Sequence, residues 1–156
     1  MSGGTVVGTA RRSALAGIDL LDDTPVRAGT RVLVRLDWNV PLHEGRVLDP
    51  GRIEATFPVL DRLVGCGALA TVATHLGYPG GRPAEGLATA VLAPYVARYG
   101  SALRLLENLR FSAGEQANDP GFAVELARDH DVFVNDAFSC MHRPHASVVG
   151  VPALLP

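Results

Sequence analysis

The sequence predicts an α/β domain of three layers (αβα), with helices on both faces of a mostly parallel sheet of four or five strands. Three observations carry this. Four short apolar runs recur along the chain: RVLVRL (31–36), ALATVAT (68–74), ALRLLEN (102–108) and DVFVN (131–135). Most are continuous in apolar residues rather than alternating, as strands covered on both faces are. Segments of helical pattern separate them, and strand–helix alternation of this kind closes into a parallel sheet through right-handed crossovers.

Taken in order, RVLVRL is the first strand. PLHEGRV (41–47), with Glu44-Gly45 at its centre, reads as a small hairpin excursion behind it. DPGRIEATFPVLDRLVGCG supplies Asp49 as helix cap, Pro50 at the first helical position and Gly65 and Gly67 as a stop, with Pro58 bending the helix between them. The second strand follows at 68–74. LATAVLAPYVARYG reads as a short helix started or interrupted by Pro94 and ending at Gly100. After the third strand, NDPGFAVELARDH offers Asp119 as cap and Pro120 in the first turn, and the fourth strand completes the set. There is no internal repeat and no low-complexity linker, so the chain reads as one domain.

Size and composition agree with that. A chain of 156 residues buries about 70% of its unfolded surface, enough for a full core. Apolar content of 47% and charged content of 19% describe a globular protein. A net charge of −2 with a pI near 6.2 argues against nucleic acid or an anionic membrane as principal partner. All 14 basic residues are arginine, so every side-chain cation offered to a ligand is a guanidinium fork or a histidine. Cys66 and Cys140 lie in apolar contexts without CxxC spacing and read as reduced thiols. No run approaches the ~18 apolar residues of a membrane span, and the N-terminus lacks the apolar core of a secretion signal. The expected compartment is the cytoplasm.

Function is sought at the strand ends, because open parallel sheets bind ligands beyond their carboxyl edge. Behind the first strand come Asp37 and Asn39; behind the second, His75; behind the third, Arg110; behind the fourth, Asp136 and then His142, Arg143, His145 and Ser147. Arg52 stands near the start of the first helix, where unpaired backbone N–H groups also favour an anion. Any one of these residues is an ordinary loop residue or cap. Together they make a basic cleft at one edge of a slightly acidic protein, suited to a phosphate or carboxylate that arginine grips bidentately. The histidines match no metal-binding motif, and arginines beside them disfavour a cation. No GxSxG, GxGxxG or P-loop pattern is present; GYPGG (77–81) is a turn that fits neither glycine fingerprint.

The motifs RVLVRLDWNVP, DPGRIEATFPVL, THLGYPGGRP, LLENLRF, NDPGFAVELA and DVFVNDAF…HRPHASVVG follow one another in an order that resembles the N-terminal domain of phosphoglycerate kinases. The likeness runs from about Ile18 to Pro156 and divides the chain into a tail, 1–17, and a domain, 18–156, with a Rossmann-like sheet. It implies a domain that binds 3-phosphoglycerate in a basic patch. A separate C-terminal domain would hold ATP or ADP with magnesium, and hinge closure would join the two for phosphoryl transfer to the substrate carboxylate. It further implies that Asp37 and Asn39 contact the hydroxyl and carboxylate end of the substrate. Arg52 would stabilise the transferring phosphoryl group, as the catalytic residue. His75, Arg110 and Arg143 would bind the 3-phosphate, with Arg35, His142 and His145 as outer members of the patch. In-line phosphoryl transfer needs positioning and charge neutralisation more than a nucleophile, which such residues supply.

Three departures from the family pattern qualify this. Tyr78 stands where the family has an arginine after His-Leu-Gly, and Arg82, four residues on, is the candidate replacement. The stretch between GYPGGRPAEG and LLENLRF is short by about one strand and helix. The nucleotide-binding C-terminal domain is not in this chain. These residues by themselves are therefore expected to hold no cofactor and no metal and to show no turnover, with ATP or ADP and magnesium arriving only with a nucleotide-binding half as partner. The expected ligand is a small anion of the 3-phosphoglycerate type. The alternatives are a non-catalytic module that binds or senses a phospho-acid, and a vestigial remnant.

Overall fold

The computed structural model describes residue 21 and residues 24–156. The predicted tail, 1–17, and the predicted start of the domain at residue 18 lie outside the described residues. Among the described residues the main sheet has four strands, β1 (Arg31–Leu36), β4 (Leu69–Ala73), β5 (Leu103–Leu105) and β6 (Val132–Asp136), in the order β5-β4-β1-β6. All three pairings are parallel. Between β1 and β4 the two-residue strands β2 (Leu42–His43) and β3 (Arg46–Val47) pair antiparallel. Their turn places Glu44 at φ 47° and Gly45 at φ 70°, the two positive values that a type I′ hairpin requires and that glycine adopts without strain.

The helices are α1 (Gly51–Glu54), α2 (Phe57–Gly65), α3 (Ala93–Ala97), α4 (Ala113–Gln116) and α5 (Pro120–Ala127). The single bent helix expected over 49–65 is in fact two. Pro58 lacks the N–H that residue 54 would bond, and its ring obstructs the preceding turn, so it sits in the first turn of α2 instead. The Thr56 hydroxyl seals the break by donating to the Ile53 carbonyl at 2.7 Å. Asp49 does not occupy the cap position, which falls to Pro50, but its carboxylate still accepts the Gly51 N–H at 2.8 Å. Asp119 caps α5 by accepting from Phe122 at 2.8 Å.

Side-chain parity in β1 divides the core. Val32, Val34 and Leu36 face Ile53, Leu60, Leu63 and Leu92 on one side of the sheet. Leu33 faces Ala123, Leu126 and Val151 on the other. The molecule is thus three layers deep, and each fully buried aliphatic side chain contributes about 1.5–3 kcal/mol. The same parity carries Arg35 to the second face, beneath the wide helical turn Ala146–Gly150. β5 is shorter than its apolar run suggests. The Glu107 carboxylate accepts the N–H groups of Thr89 and Asn108, and the Asn108 side-chain Oδ1 accepts that of Arg110, which turns the backbone out of the sheet.

Candidate anion site at the carboxyl edge of the sheet

The loops behind β1, β4, β5 and β6 meet over the carboxyl ends of the strands, and one buried aromatic fixes the first of them. Trp38 is fully buried in the first core; its indole N–H donates to the Thr56 hydroxyl at 3.0 Å and its backbone N–H to the Thr74 hydroxyl at 3.1 Å. With Trp38 held inward, Asp37 and Asn39 on either side are half-buried and turn to the site. Asp37 Oδ2 accepts from Arg52 Nη1 and from the Ser139 hydroxyl, each at 2.5 Å, tying β1, α1 and the β6 loop together. Asn39 Oδ1 accepts the Gly77 N–H at 2.9 Å. Gly77 lies at φ 57°, a conformation that favours glycine, and its carbonyl accepts from Arg110 Nη1 at 2.8 Å.

Arg110 is buried and its Nε–H has no hydrogen-bond partner among the described residues. A sealed donor on a cation is costly to leave unpaired, so this atom marks a place where an acceptor is wanted. Tyr78, itself 70% exposed, lays its ring over the Arg110 guanidinium at 4.6 Å. Tyr78 thus occupies the guanidinium face with a cation–π contact. Arg82 is exposed.

Beneath this edge lies a buried polar chain that sequence reasoning did not foresee. Arg35 was expected at the rim of the patch, yet it is only 1% exposed. Its Nε donates to the Ser147 hydroxyl at 3.0 Å, Nη1 to the Leu36 carbonyl at 2.5 Å, and Nη2 lies 2.9 Å from His75 Nδ1. Ser147 in turn donates its hydroxyl and its N–H to the Glu115 carboxylate at 2.5 and 2.9 Å. Glu115 is 1% exposed and also lies 3.8 Å from His145 Nδ1. His145 is therefore a buried member of this cluster and not part of an outer rim, while His142 is exposed. Arg143 is half-buried; its backbone bonds Cys140 and His145, its guanidinium makes no hydrogen bond among the described residues, and its charge acts on His145.

Electrostatics leave the arginines as the cations of the site at neutral pH. Burial first, then the charges of Arg35 and Arg110, push the His75 pKa down to about 3. Burial likewise lowers that of His145, against the opposing pull of Glu115. These shifts have a stability consequence. The unfolded chain takes up a proton at His75 near pH 6.5, whereas the folded chain refuses it until about pH 3. The unfolded state then binds more protons, so stability falls as the pH drops through that window. Urea midpoints measured from pH 7 to pH 4 should decline, and His75→Gln, whose carbonyl can still accept from Arg35, should flatten the decline. An unchanged slope in that variant would show that His75 titrates normally in the fold.

Asp37, His75 and Cys140 bring one potential ligand atom each to within 4.8 Å of one another. Proximity favours a metal ion there, but the donor set does not. Asp37 is engaged by Arg52 and Ser139, and the Arg35 guanidinium lies against both His75 and Cys140. A nearby cation opposes a metal as it favours an anion. Two open hollows elsewhere, beside α4–α5 and at the opposite edge of the sheet around Arg31, Arg104 and His130, share no residue with this cluster.

The family model for phosphoglycerate kinase matches the chain over residues 21–104 and 97–156. The phosphoglycerate kinase of Chelativorans sp. (strain BNC1) is 40% identical over 91% of this chain, and that of Moorella thermoacetica is 43% identical over 81%. The chain spans 42% and 38% of the length of those two relatives. Among solved structures, phosphoglycerate kinase from Coxiella burnetii superposes with a TM-score of 0.81 at 27% identity, covering 86% of this chain and 39% of that one. The enzyme from Pyrococcus horikoshii OT3 follows at 0.73 and 28%, covering 87% and 40%.

Proposed function

This chain belongs to the phosphoglycerate kinase family, and from that membership we propose that its basic edge is the acceptor-substrate half of the reaction. It binds 3-phosphoglycerate, or a phospho-acid like it, through Arg110, Arg143 and His75. Asp37 and Asn39 are set for the hydroxyl and carboxylate end, and Arg52 for the transferring phosphoryl group. The observation that carries this reading is the buried Arg110 Nε–H without a partner, together with a half-buried Arg143 whose guanidinium makes no hydrogen bond among the described residues. An anion there would satisfy both.

Magnesium and the nucleotide belong elsewhere in this scheme. A magnesium ion asks for free carboxylate oxygens, and the Asp37 carboxylate is committed to Arg52 and Ser139. ATP or ADP with its metal is therefore assigned to a nucleotide-binding half, and turnover to the two together. A second reading, a phospho-acid-binding module without catalysis, is favoured by one observation: the Tyr78 ring covers the Arg110 guanidinium where the family has a further cation.

Calorimetry with 3-phosphoglycerate at low salt tests the binding that both readings share. Each partly desolvated arginine–phosphate contact contributes roughly 1.5–3 kcal/mol. One arginine fewer weakens binding ~10- to 100-fold, which places the unmodified chain in the high-micromolar to millimolar range and makes it salt-sensitive. Tyr78→Arg should tighten it by a similar factor. No heat at millimolar ligand from either protein would leave the remnant reading standing.

A further inference from the structure

The buried chain Glu115–Ser147–Arg35–His75 does more than fill space, because its chemistry dictates a protonation state. A guanidinium has five donors, no acceptor, and does not lose its proton in proteins. Arg35 Nη2 at 2.9 Å from His75 Nδ1 therefore donates, and Nδ1 must carry the lone pair. A neutral imidazole has one donor and one acceptor, so its proton sits on Nε2. The histidine is neutral because burial disfavours its charge and because Arg35 and Arg110 then face it as cations, with Asp37 the opposing carboxylate and His145 a further neighbour.

We infer that Arg35 is a positioning residue: it fixes His75 as the Nε2–H tautomer, and Glu115, through Ser147, holds Arg35 in place to do so. Which ring nitrogen carries the proton is set by the bond that the other one makes. His75 then presents an uncharged N–H donor at the anion edge, and its donor capacity does not vanish as the pH passes through the ordinary histidine range. The use of that donor rests on the anion reading above; the tautomer itself does not.

The discriminating experiment is long-range 1H–15N correlation spectroscopy of the 15N-labelled full chain from pH 5 to pH 8. The expected result is one nitrogen-protonated pattern for His75, with Nε2 as the protonated atom, unchanged across the range. A scalar coupling across the hydrogen bond between the Arg35 guanidinium and Nδ1 should accompany it. An Nδ1–H pattern, a titration near pH 6.5, or absence of that coupling would overturn the inference without any substitution. Arg35→Met keeps bulk but removes the donors, and should release His75 into a mixture of tautomers. A folded Arg35→Met chain that retains pure Nε2–H would equally overturn it. Inorganic phosphate added to the unmodified chain separates the two claims. A shift of the His75 Nε2–H resonance supports both, while an Nε2–H tautomer blind to phosphate supports this inference and counts against the anion reading alone.

Discussion

Glu115→Ala is expected to lower folding stability by about 3–5 kcal/mol, the loss that follows when one member of a buried charged network is removed and the rest remain. The carboxylate is 1% exposed and accepts both the N–H and the hydroxyl of Ser147. Without it, a buried backbone donor and a hydroxyl proton lose their acceptor. The Arg35 guanidinium also loses the carboxylate that its neighbour Ser147 bonds, since Arg35 and Glu115 meet through that one hydroxyl. Urea unfolding should show a lower midpoint at an unchanged slope. Glu125→Ala is the control, because Glu125 is exposed on α5 and surface changes of this kind stay within about 0.5 kcal/mol. Should Glu115→Ala shift stability no more than the control, the buried chain does not act as a unit.

How far this was visible in the sequence depends on what each residue type discloses. β1, β4 and β6 were legible because a strand covered on both faces is largely apolar, and the runs at 31–36, 68–74 and 131–135 are largely so. β5 was drawn too long because Glu107 and Asn108, which turn the backbone away, look like any polar residues until their partners at Thr89 and Arg110 are known. The split between α1 and α2 depends on Thr56, whose hydroxyl is engaged both by Ile53 and by the indole of Trp38, 18 residues earlier.

In the candidate site, residues following the strands were found by topology alone, since the carboxyl edge of a parallel sheet collects them. Arg35 was misplaced at the rim because arginine is seldom buried. The alternation that sends Val32, Val34 and Leu36 to one face nevertheless sends Leu33 and Arg35 to the other, so parity held the clue. Glu115 gave none: nothing in SAGEQAN marks it for burial, and its partner Ser147 lies 32 residues away. Long-range pairing of polar groups is what a single sequence conceals.

Arg143→Ala should abolish measurable binding of 3-phosphoglycerate while leaving the fold almost untouched, and the contrast among the site's arginines is the reason. Arg35 spends donors on Ser147, Leu36 and His75, Arg52 is paired with Asp37, and Arg110 is tied to Gly77. Arg143 is half-buried, and its guanidinium, bonded to no described residue, has its donors to give. Truncating it strands no partner, so the unfolding midpoint should move by no more than about 0.5 kcal/mol. Binding should lose roughly 1.5–3 kcal/mol, a factor of about 10 to 150, which carries an already weak affinity beyond millimolar ligand. Arg82→Ala, at an exposed position in the β4 loop, separates a specific contact from a general loss of positive charge and should change the affinity less. With His75 neutral, binding should not decline between pH 6 and pH 8; it should rise as the phosphate group, with a second pKa near 6, becomes dianionic. Equal losses from Arg143→Ala and Arg82→Ala, or a decline toward pH 8, would place the anion on a diffuse cationic surface and not in a cradle formed by Arg110, Arg143 and His75.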